Sequence, residues 1–161
     1  MTITTPGSRL KLLLSGVSEV DDGITDAEDV ASDSNFSYVP PGFVYAEVVP
    51  ESVTGTFTFS PTVTRFGMVA DGTIEFRAGE VVGVKSKGSK AILDKVTATA
   101  SKGAKKASSI TIGLNPSMKY GYGQNGNSAG VVGLRILGAN FTAKSPSVRV
   151  KGKTLVARGR I

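Results

Sequence analysis

The sequence of 161 residues contains no histidine and no cysteine, and these absences exclude several kinds of chemistry. Imidazole is the usual proton shuttle at neutral pH and the commonest transition-metal ligand, whereas thiolate is the usual soft ligand and nucleophile. Composition therefore excludes Ser-His-Asp and Cys-His triads, Cys/His zinc sites and redox-active cysteine pairs. Carboxylate, lysine, tyrosine and backbone chemistry remain. The composition leans against an enzyme, and we expect neither a bound metal nor a cofactor.

The sequence also lacks the apolar run of about 20 residues that a membrane-spanning helix requires. Its stretch at residues 10–14 is short and is interrupted by Lys11. The N-terminal residues show no basic region followed by a long apolar stretch, so no secretory signal is expected. We therefore expect a cytoplasmic protein without membrane contact.

The composition predicts one mainly β domain over residues 1–161, because 20 glycines accompany a hydrophobic share of 40%. One helix is predicted at about residues 89–100, where Ser89 is a candidate N-cap and Leu93 and Val96 share a face. Alternating or β-branched stretches predict strands, and the C-terminal residues predict a hairpin that turns at Lys151 to Lys153. The predicted strands are residues 9–16, 42–49, 52–59, 64–69, 73–76, 81–85, 109–114 and 131–137.

Two segments predict loops because they contain few bulky residues. Residues 18–34 are rich in Asp and Ser, and residues 119–130 are rich in Gly. The second segment includes the pattern Gly-x-Gly-x-x-Gly, which in dinucleotide-binding proteins leads from a strand into a helix and precedes an acidic residue by about 20 positions. No acidic residue follows here. We interpret the pattern as a turn.

Acidic and basic residues occupy different parts of the chain, although the net charge is only +6. Residues 12–64 contain no Lys or Arg, and no Asp or Glu follows Asp94. Such asymmetry is typical of a polyanion-binding surface, or of two surfaces that attract each other between subunits. A third interpretation is that the fold interleaves both segments. The candidate contacts are the acidic residues Asp21, Asp22, Asp26, Glu28 and Asp29, and the basic residues Lys102, Lys105, Lys106, Lys119, Arg149, Lys151 and Lys153.

Five stretches, taken in order, resemble the C-terminal, metal-bearing domain of the aminopeptidase T family of thermophilic leucyl metalloaminopeptidases. They read SRLKLLLSGVSEVDDGIT, YVPPGFVYAEVVPESVTGTFTF, GSKAILDKV, SITIGLNP and GVVGLRILGAN. The resemblance covers nearly the whole chain. With the strand and helix patterns, it implies an α+β fold dominated by an antiparallel, partly closed β-barrel with one main helix.

The resemblance also locates the positions of the family's metal ligands. A first glutamate falls on Phe43, a second on Ser109, and a histidine falls on Gly133 or Leu134. None of these residues supplies an anionic or imidazole donor, so a divalent metal pair is not expected there. The resemblance thus implies the fold of the family and argues against its activity.

These observations predict a non-catalytic, metallopeptidase-like structural protein that self-associates through complementary acidic and basic surfaces. The expected partner is a second copy of the chain. The alternative is a polyanion-binding module that uses the basic C-terminal half to bind nucleic acid or a ribonucleoprotein. A third hypothesis, a hydrolase with a rebuilt carboxylate site, has less support in the sequence.

Overall fold

The computed structural model describes residues 1–21, 27–31, 41–118 and 128–161. Most of these residues lie in antiparallel strands. The strands are β1 (Thr2–Thr5), β2 (Ser8–Lys11), β3 (Leu14–Asp21), β4 (Phe43–Val48), β5 (Thr54–Phe59), β6 (Thr62–Thr64), β7 (Gly67–Val69), β8 (Gly72–Arg77), β9 (Glu80–Ser86), β10 (Ser109–Gly113), β11 (Val132–Ile136), β12 (Ala139–Ala143), β13 (Ser147–Val150) and β14 (Lys153–Val156). The helices are α1 (Ala27–Ala31) and α2 (Lys90–Thr99), with single 3-10 turns at Pro50–Ser52 and Gly103–Lys105.

The strands form two large sheets and one small one. The larger sheet has seven strands in the order β14-β13-β1-β2-β5-β8-β9. The second has five strands in the order β12-β11-β10-β4-β3, and β6 pairs only with β7. The stretch at residues 9–16 was predicted as one strand, but it contributes β2 to the first sheet and the start of β3 to the second.

One hydrophobic core lies between the two large sheets. Strand β5 shows why: Phe57 and Phe59 are buried, and the threonines that alternate with them, Thr56 and Thr58, face outward, as the period of two in this segment predicts. Phe59 of the larger sheet meets Phe141 of the five-stranded sheet edge to face, with 4.8 Å between ring centroids. Each sheet therefore buries one face against the other, and each keeps an outer face.

The predicted partly closed β-barrel is wrong, because both large sheets are open among the described residues. The seven-stranded sheet ends at β14 and β9, and the five-stranded sheet ends at β12 and β3. The apolar faces are covered by packing one sheet on the other, so no sheet has to close on itself. The observed fold is a sheet-dominated one with a single long helix.

The helix predicted at about residues 89–100 is confirmed as α2, and it buries Leu93 and Val96. Ser89 occupies the N-cap position, but its side chain makes no capping hydrogen bond. Its hydroxyl oxygen instead accepts a hydrogen bond from the backbone N–H of Ala70, at 2.9 Å. The residue therefore ties the helix to the strand region before β8.

The two predicted loops are described only in part. Within residues 18–34 the structure contains the end of β3 and the short helix α1; residues 22–26 and 32–34 lie outside the described residues. Within residues 119–130 only Ser128, Ala129 and Gly130 are described. In the described part of the chain, neither helix has the length and hydrophobicity that crossing a membrane requires.

Candidate functional site

The positions that the resemblance maps to metal ligands lie mostly on the outer face of the five-stranded sheet. Ser109 of β10 pairs with Arg135 of β11, Gly113 pairs with Phe43 of β4, and Thr111 pairs with Gly133. Side chains alternate between the faces of a strand, so Phe43, Ser109 and Gly133 share this outer face. They sit on three adjacent strands.

Leu134 does not share that face. It is fully buried in the core, where it pairs with Ile110 and Phe141. The sequence left Gly133 and Leu134 as alternatives for the family's histidine position. Of the two, the structure brings only Gly133 onto the face that carries Phe43 and Ser109.

Polar atoms crowd the space above Gly133. A methyl group built on Gly133 would lie 2.7 Å from Asn140 Oδ1 and 2.9 Å from Asn140 Nδ2, and it would overlap with Thr111 Oγ1. Thr111 Oγ1 is buried and has no hydrogen-bond partner among the residues that the structure describes. The side chains of Thr111 and Asn140 therefore occupy the volume that any side chain at position 133 would need.

The residues at the mapped ligand positions do not fit a divalent metal pair. Phe43, only 8% exposed, contributes hydrocarbon, and Ser109 and Thr111 contribute neutral hydroxyls. Among the described residues, no group of three His, Cys, Asp or Glu side chains is close enough to bind a metal ion. Transition-metal sites in proteins are built from imidazole, thiolate and carboxylate donors. We derive no catalytic step through a metal here.

The basic residues predicted as one contact surface form two separate groups. Lys102 and Lys105 lie in the turn after α2, and Lys105 lines an open groove between α2 and β9. Arg149, Lys151 and Lys153 lie in the β13–β14 hairpin. Strands β9 and β14 are the two outer strands of the seven-stranded sheet, about 29 Å apart at a spacing of about 4.8 Å. A small-molecule ligand is too short to contact both groups at once.

Lys106 makes ion pairs within the chain. Its Nζ atom lies 2.8 Å from Glu51 Oε1 and 3.7 Å from Glu80 Oε1. The hydrogen bond from Lys106 holds the pKa of Glu51 below its ordinary value, and the hydrogen bond to Glu51 raises the pKa of Lys106. Glu51 belongs to the acidic part of the sequence and Lys106 to the basic part. For this pair the fold brings a residue of the acidic part next to a residue of the basic part, as the interpretation of interleaved segments expects.

Two cations that the sequence did not predict as contacts, Arg9 and Lys11, lie beside Arg149 on the outer face of the seven-stranded sheet. Thr2 of β1 pairs with Lys11 on one side and with Arg149 on the other, and Thr4 pairs with Arg9. Arg9, Lys11 and Arg149 are exposed. We call the outer face of β14, β13, β1 and β2 the basic half-face. These four strands contain no acidic residue.

One signal in the sequence could have identified part of this half-face. Arg9 and Lys11 alternate with Leu10 and Leu12, which predicts that both cations face solvent. The remote strand that carries Arg149 could be placed beside them only from the structure. The distribution of charge along the sequence did not identify Arg9 and Lys11, because they precede the acidic segment and lie outside the basic C-terminal half.

The candidate acidic contacts cannot be assigned to a surface in the same way. The backbone of Asp21 ends β3, which pairs with β4 at the edge of the five-stranded sheet. The backbone of Glu28 and Asp29 lies in α1. The side chains of these three residues, together with all of Asp22 and Asp26, lie outside the described residues. Lys119 also lies outside them.

No protein-family model matches the sequence, and no curated protein matches it. The structure is similar to that of wild-type AmpT from Thermus thermophilus, with a TM-score of 0.64 and 15% sequence identity. The similarity covers 99% of this chain and 48% of the AmpT chain. The chain thus spans about half the length of that protein. At this level of identity the similarity shows one thing: the two proteins share a fold.

Proposed function

We propose that this chain is a non-catalytic, aminopeptidase-like domain that acts as an assembly protein by binding further copies of itself. The observation that carries the proposal is the basic half-face, where cations from both ends of the chain lie together without an acidic residue. Complementary charge steers association and excludes wrong partners. The chain supplies its own counterpart in the acidic segment, residues 18–34.

The outer face of the five-stranded sheet supports the non-catalytic part of the proposal. Phe43, Ser109 and Gly133 stand where the resembled family has metal ligands, and none of them provides an anionic or imidazole donor. The similarity to AmpT extends to the fold alone, so that protein's activity is not transferred to this chain. Peptidase assays with added Zn²⁺, Co²⁺ or Mg²⁺ are expected to show no activity above background.

The half-face and the start of the acidic segment belong to different sheets. The half-face belongs to the seven-stranded sheet, whereas the acidic segment begins within β3, which pairs with β4 at the edge of the five-stranded sheet. Contact between two different surfaces is head-to-tail, and such contacts close into rings or extend into filaments. We therefore expect a series of oligomers of increasing mass rather than a single symmetric dimer.

Solution mass measured at two salt concentrations tests the proposal. Surface charges interact over about 14 Å at about 50 mM salt and over about 4 Å at about 500 mM. Multi-angle light scattering at these two concentrations is expected to show oligomers at low salt that dissociate at high salt. A monomer at low salt and at protein concentrations up to about 1 mM, where weak contacts with Kd near 1 mM begin to associate, refutes self-association.

The same half-face supports a second candidate function, the binding of nucleic acid. Cations that contact phosphates release condensed counterions, so the logarithm of the binding constant falls linearly with the logarithm of salt concentration. Electrophoretic mobility shifts of a short DNA duplex, measured over a salt series, test this function. Absence of binding at about 50 mM salt excludes it, because non-specific affinity for duplex DNA is strongest at low salt.

A further inference from the structure

We infer that the basic half-face is the docking surface for the acidic segment of a second copy, and that Arg9, Lys11 and Arg149 are its principal contacts. The inference rests on the proposed function and specifies the surface and the part of the partner that binds. It excludes the other basic group, Lys102 to Lys106, from the contact.

The strand register fixes the spacing of the cations. Lys11 and Arg149 flank Thr2 on neighbouring strands, so their Cα atoms are about 10 Å apart at a strand spacing of about 4.8 Å. Arg9 lies two residues before Lys11 on the same face, at about 6.8 Å. None of the three makes an ion pair with a residue that the structure describes. All three side chains are exposed to solvent.

Threonine side chains separate the cations. Thr154 pairs with Arg149, Arg149 with Thr2, Thr2 with Lys11, and Lys11 with Thr54, so hydroxyls and cations alternate across five strands. Guanidinium, ammonium and hydroxyl groups are all donors to carboxylate oxygens. This row contains no aromatic side chain, so it offers no platform for stacking bases. The chemistry favours carboxylates over single-stranded nucleic acid.

The edges of the seven-stranded sheet argue for docking on the face rather than by edge pairing. The register shifts in the β8–β9 pair at Val82 and in the β13–β14 pair at Leu155. Both residues are unpaired in their ladders and exposed, at 48% and 46%. Bulges of this kind interrupt the regular row of backbone donors and acceptors that an added strand needs. The surface around β1 and β2, where no register shift interrupts the strand pairs, is the better contact area.

The acidic segment has the composition that this surface requires. Residues 18–34 carry seven acidic side chains and no Lys or Arg. The acidic residues in this segment are Glu19, Asp21, Asp22, Asp26, Glu28, Asp29 and Asp33. One copy of the segment therefore contains more carboxylates than the half-face of another copy has principal cations.

A fluorescently labelled synthetic peptide of residues 18–34 tests the inference on the full-length protein. The half-face variant replaces Arg9, Lys11 and Arg149 with threonine, which suits exposed strand positions. A matched control variant replaces Lys85, Lys87 and Lys102 with threonine and removes the same charge from exposed sites elsewhere. Fluorescence anisotropy at about 50 mM salt is expected to show about tenfold weaker binding for the half-face variant, and less than about threefold weakening for the control.

Each outcome of this experiment supports or overturns the inference. Equal weakening in both variants overturns the surface assignment, because net charge alone explains it, and it leaves the proposed self-association standing. Wild-type protein that oligomerises at low salt without binding the peptide overturns the choice of partner segment. If duplex DNA binds through the half-face and the peptide does not, the partner is nucleic acid. Protein that neither oligomerises nor binds the peptide overturns both proposals.

A second measurement uses the wild-type chain and therefore does not depend on correct folding of the triple variant. A zero-length carbodiimide reagent joins lysine amines to nearby carboxylates. In a mixture of isotopically light and heavy protein, crosslinks between Lys11 and the acidic segment of the other label are expected. Crosslinks from Lys102 or Lys105 to that segment, without any from Lys11, overturn the inference.

Discussion

Replacing Gly133 with alanine is expected to destabilise the protein, because the space above this glycine is filled. The new methyl group would lie 2.7 Å and 2.9 Å from the amide atoms of Asn140 and would overlap with Thr111 Oγ1. The Asn140 amide is the end of a flexible side chain and can turn away. Thr111 Oγ1 sits one bond from its Cβ atom and moves only by rotating a β-branched side chain between well-packed strands. The contact with Thr111 therefore decides the cost.

The size of the effect follows from two opposing terms. Overpacking a well-packed site costs about 1–3 kcal/mol. Replacing glycine reduces the entropy of the unfolded chain and returns about 0.4–1 kcal/mol. We expect a net loss of about 1–2 kcal/mol in the free energy of unfolding, which for a chain of this length lowers Tm by about 2–8 °C. Urea unfolding followed by circular dichroism measures the change.

A double-mutant cycle tests whether Thr111 is the cause. Thr111→Ala removes the clashing oxygen, which has no hydrogen-bond partner to lose among the described residues. Adding it to Gly133→Ala is expected to recover about 1 kcal/mol relative to the sum of the single effects. Gly16→Ala is the control, because a methyl group there meets no atom within 4 Å. If Gly133→Ala is as mild as Gly16→Ala, the crowded geometry above Gly133 is refuted.

The remaining predictions concern an ion pair, an aromatic pair and a buried hydroxyl. The hydrogen bond from Lys106 holds the pKa of Glu51 in the folded protein below its ordinary value of 4.5. The unfolded chain therefore binds a proton at Glu51 at a higher pH than the folded protein does, and the free energy of unfolding decreases as the pH falls below about 4.5. Glu51→Gln is expected to make this decrease smaller, as measured by urea unfolding midpoints from pH 3 to pH 7. Phe141→Ala removes a fully buried ring that packs on Phe59, and a loss of about 3–5 kcal/mol is expected by denaturant unfolding; a loss below about 1 kcal/mol contradicts that packing. Thr111→Val replaces a buried hydroxyl, which has no hydrogen-bond partner among the described residues, with a methyl group. The free energy of unfolding is expected to stay the same or to rise by up to about 1 kcal/mol. A marked loss of stability would show that the hydroxyl does form a hydrogen bond in the folded protein.

Local patterns predicted the elements of the fold better than its architecture. The alternation in β5 and the apolar spacing of α2 are set by neighbouring residues, and both elements are confirmed. A period of two shows that a strand is half-buried, but it carries no information on whether the two edges of its sheet meet. The partly closed barrel was predicted without that information. Long-range pairing, such as that of β1 with β13, decided the open arrangement.

The candidate site shows the same division. Residue types alone identified Phe43 and Ser109 as unable to bind a metal, and the register then placed both on one face of the sheet. The choice between Gly133 and Leu134 needed the register, because adjacent residues on a strand face opposite ways. Locating the basic surface depended even more on the strand register, because Lys106 forms an ion pair within the chain and Arg9 lies outside the basic part of the sequence.

The position of the basic half-face is fixed by the same burial pattern that holds the seven-stranded sheet together. Ile3, Leu10 and Val148 face the core from β1, β2 and β13, and Ile3 pairs with both of the others. A slip of one residue in either pairing would turn the cations Lys11 and Arg149 toward the core and expose the apolar residues. The free-energy cost of burying charge prevents that slip. The Cα atoms of Lys11 and Arg149 are therefore held two strands apart by the packing of the core beneath them.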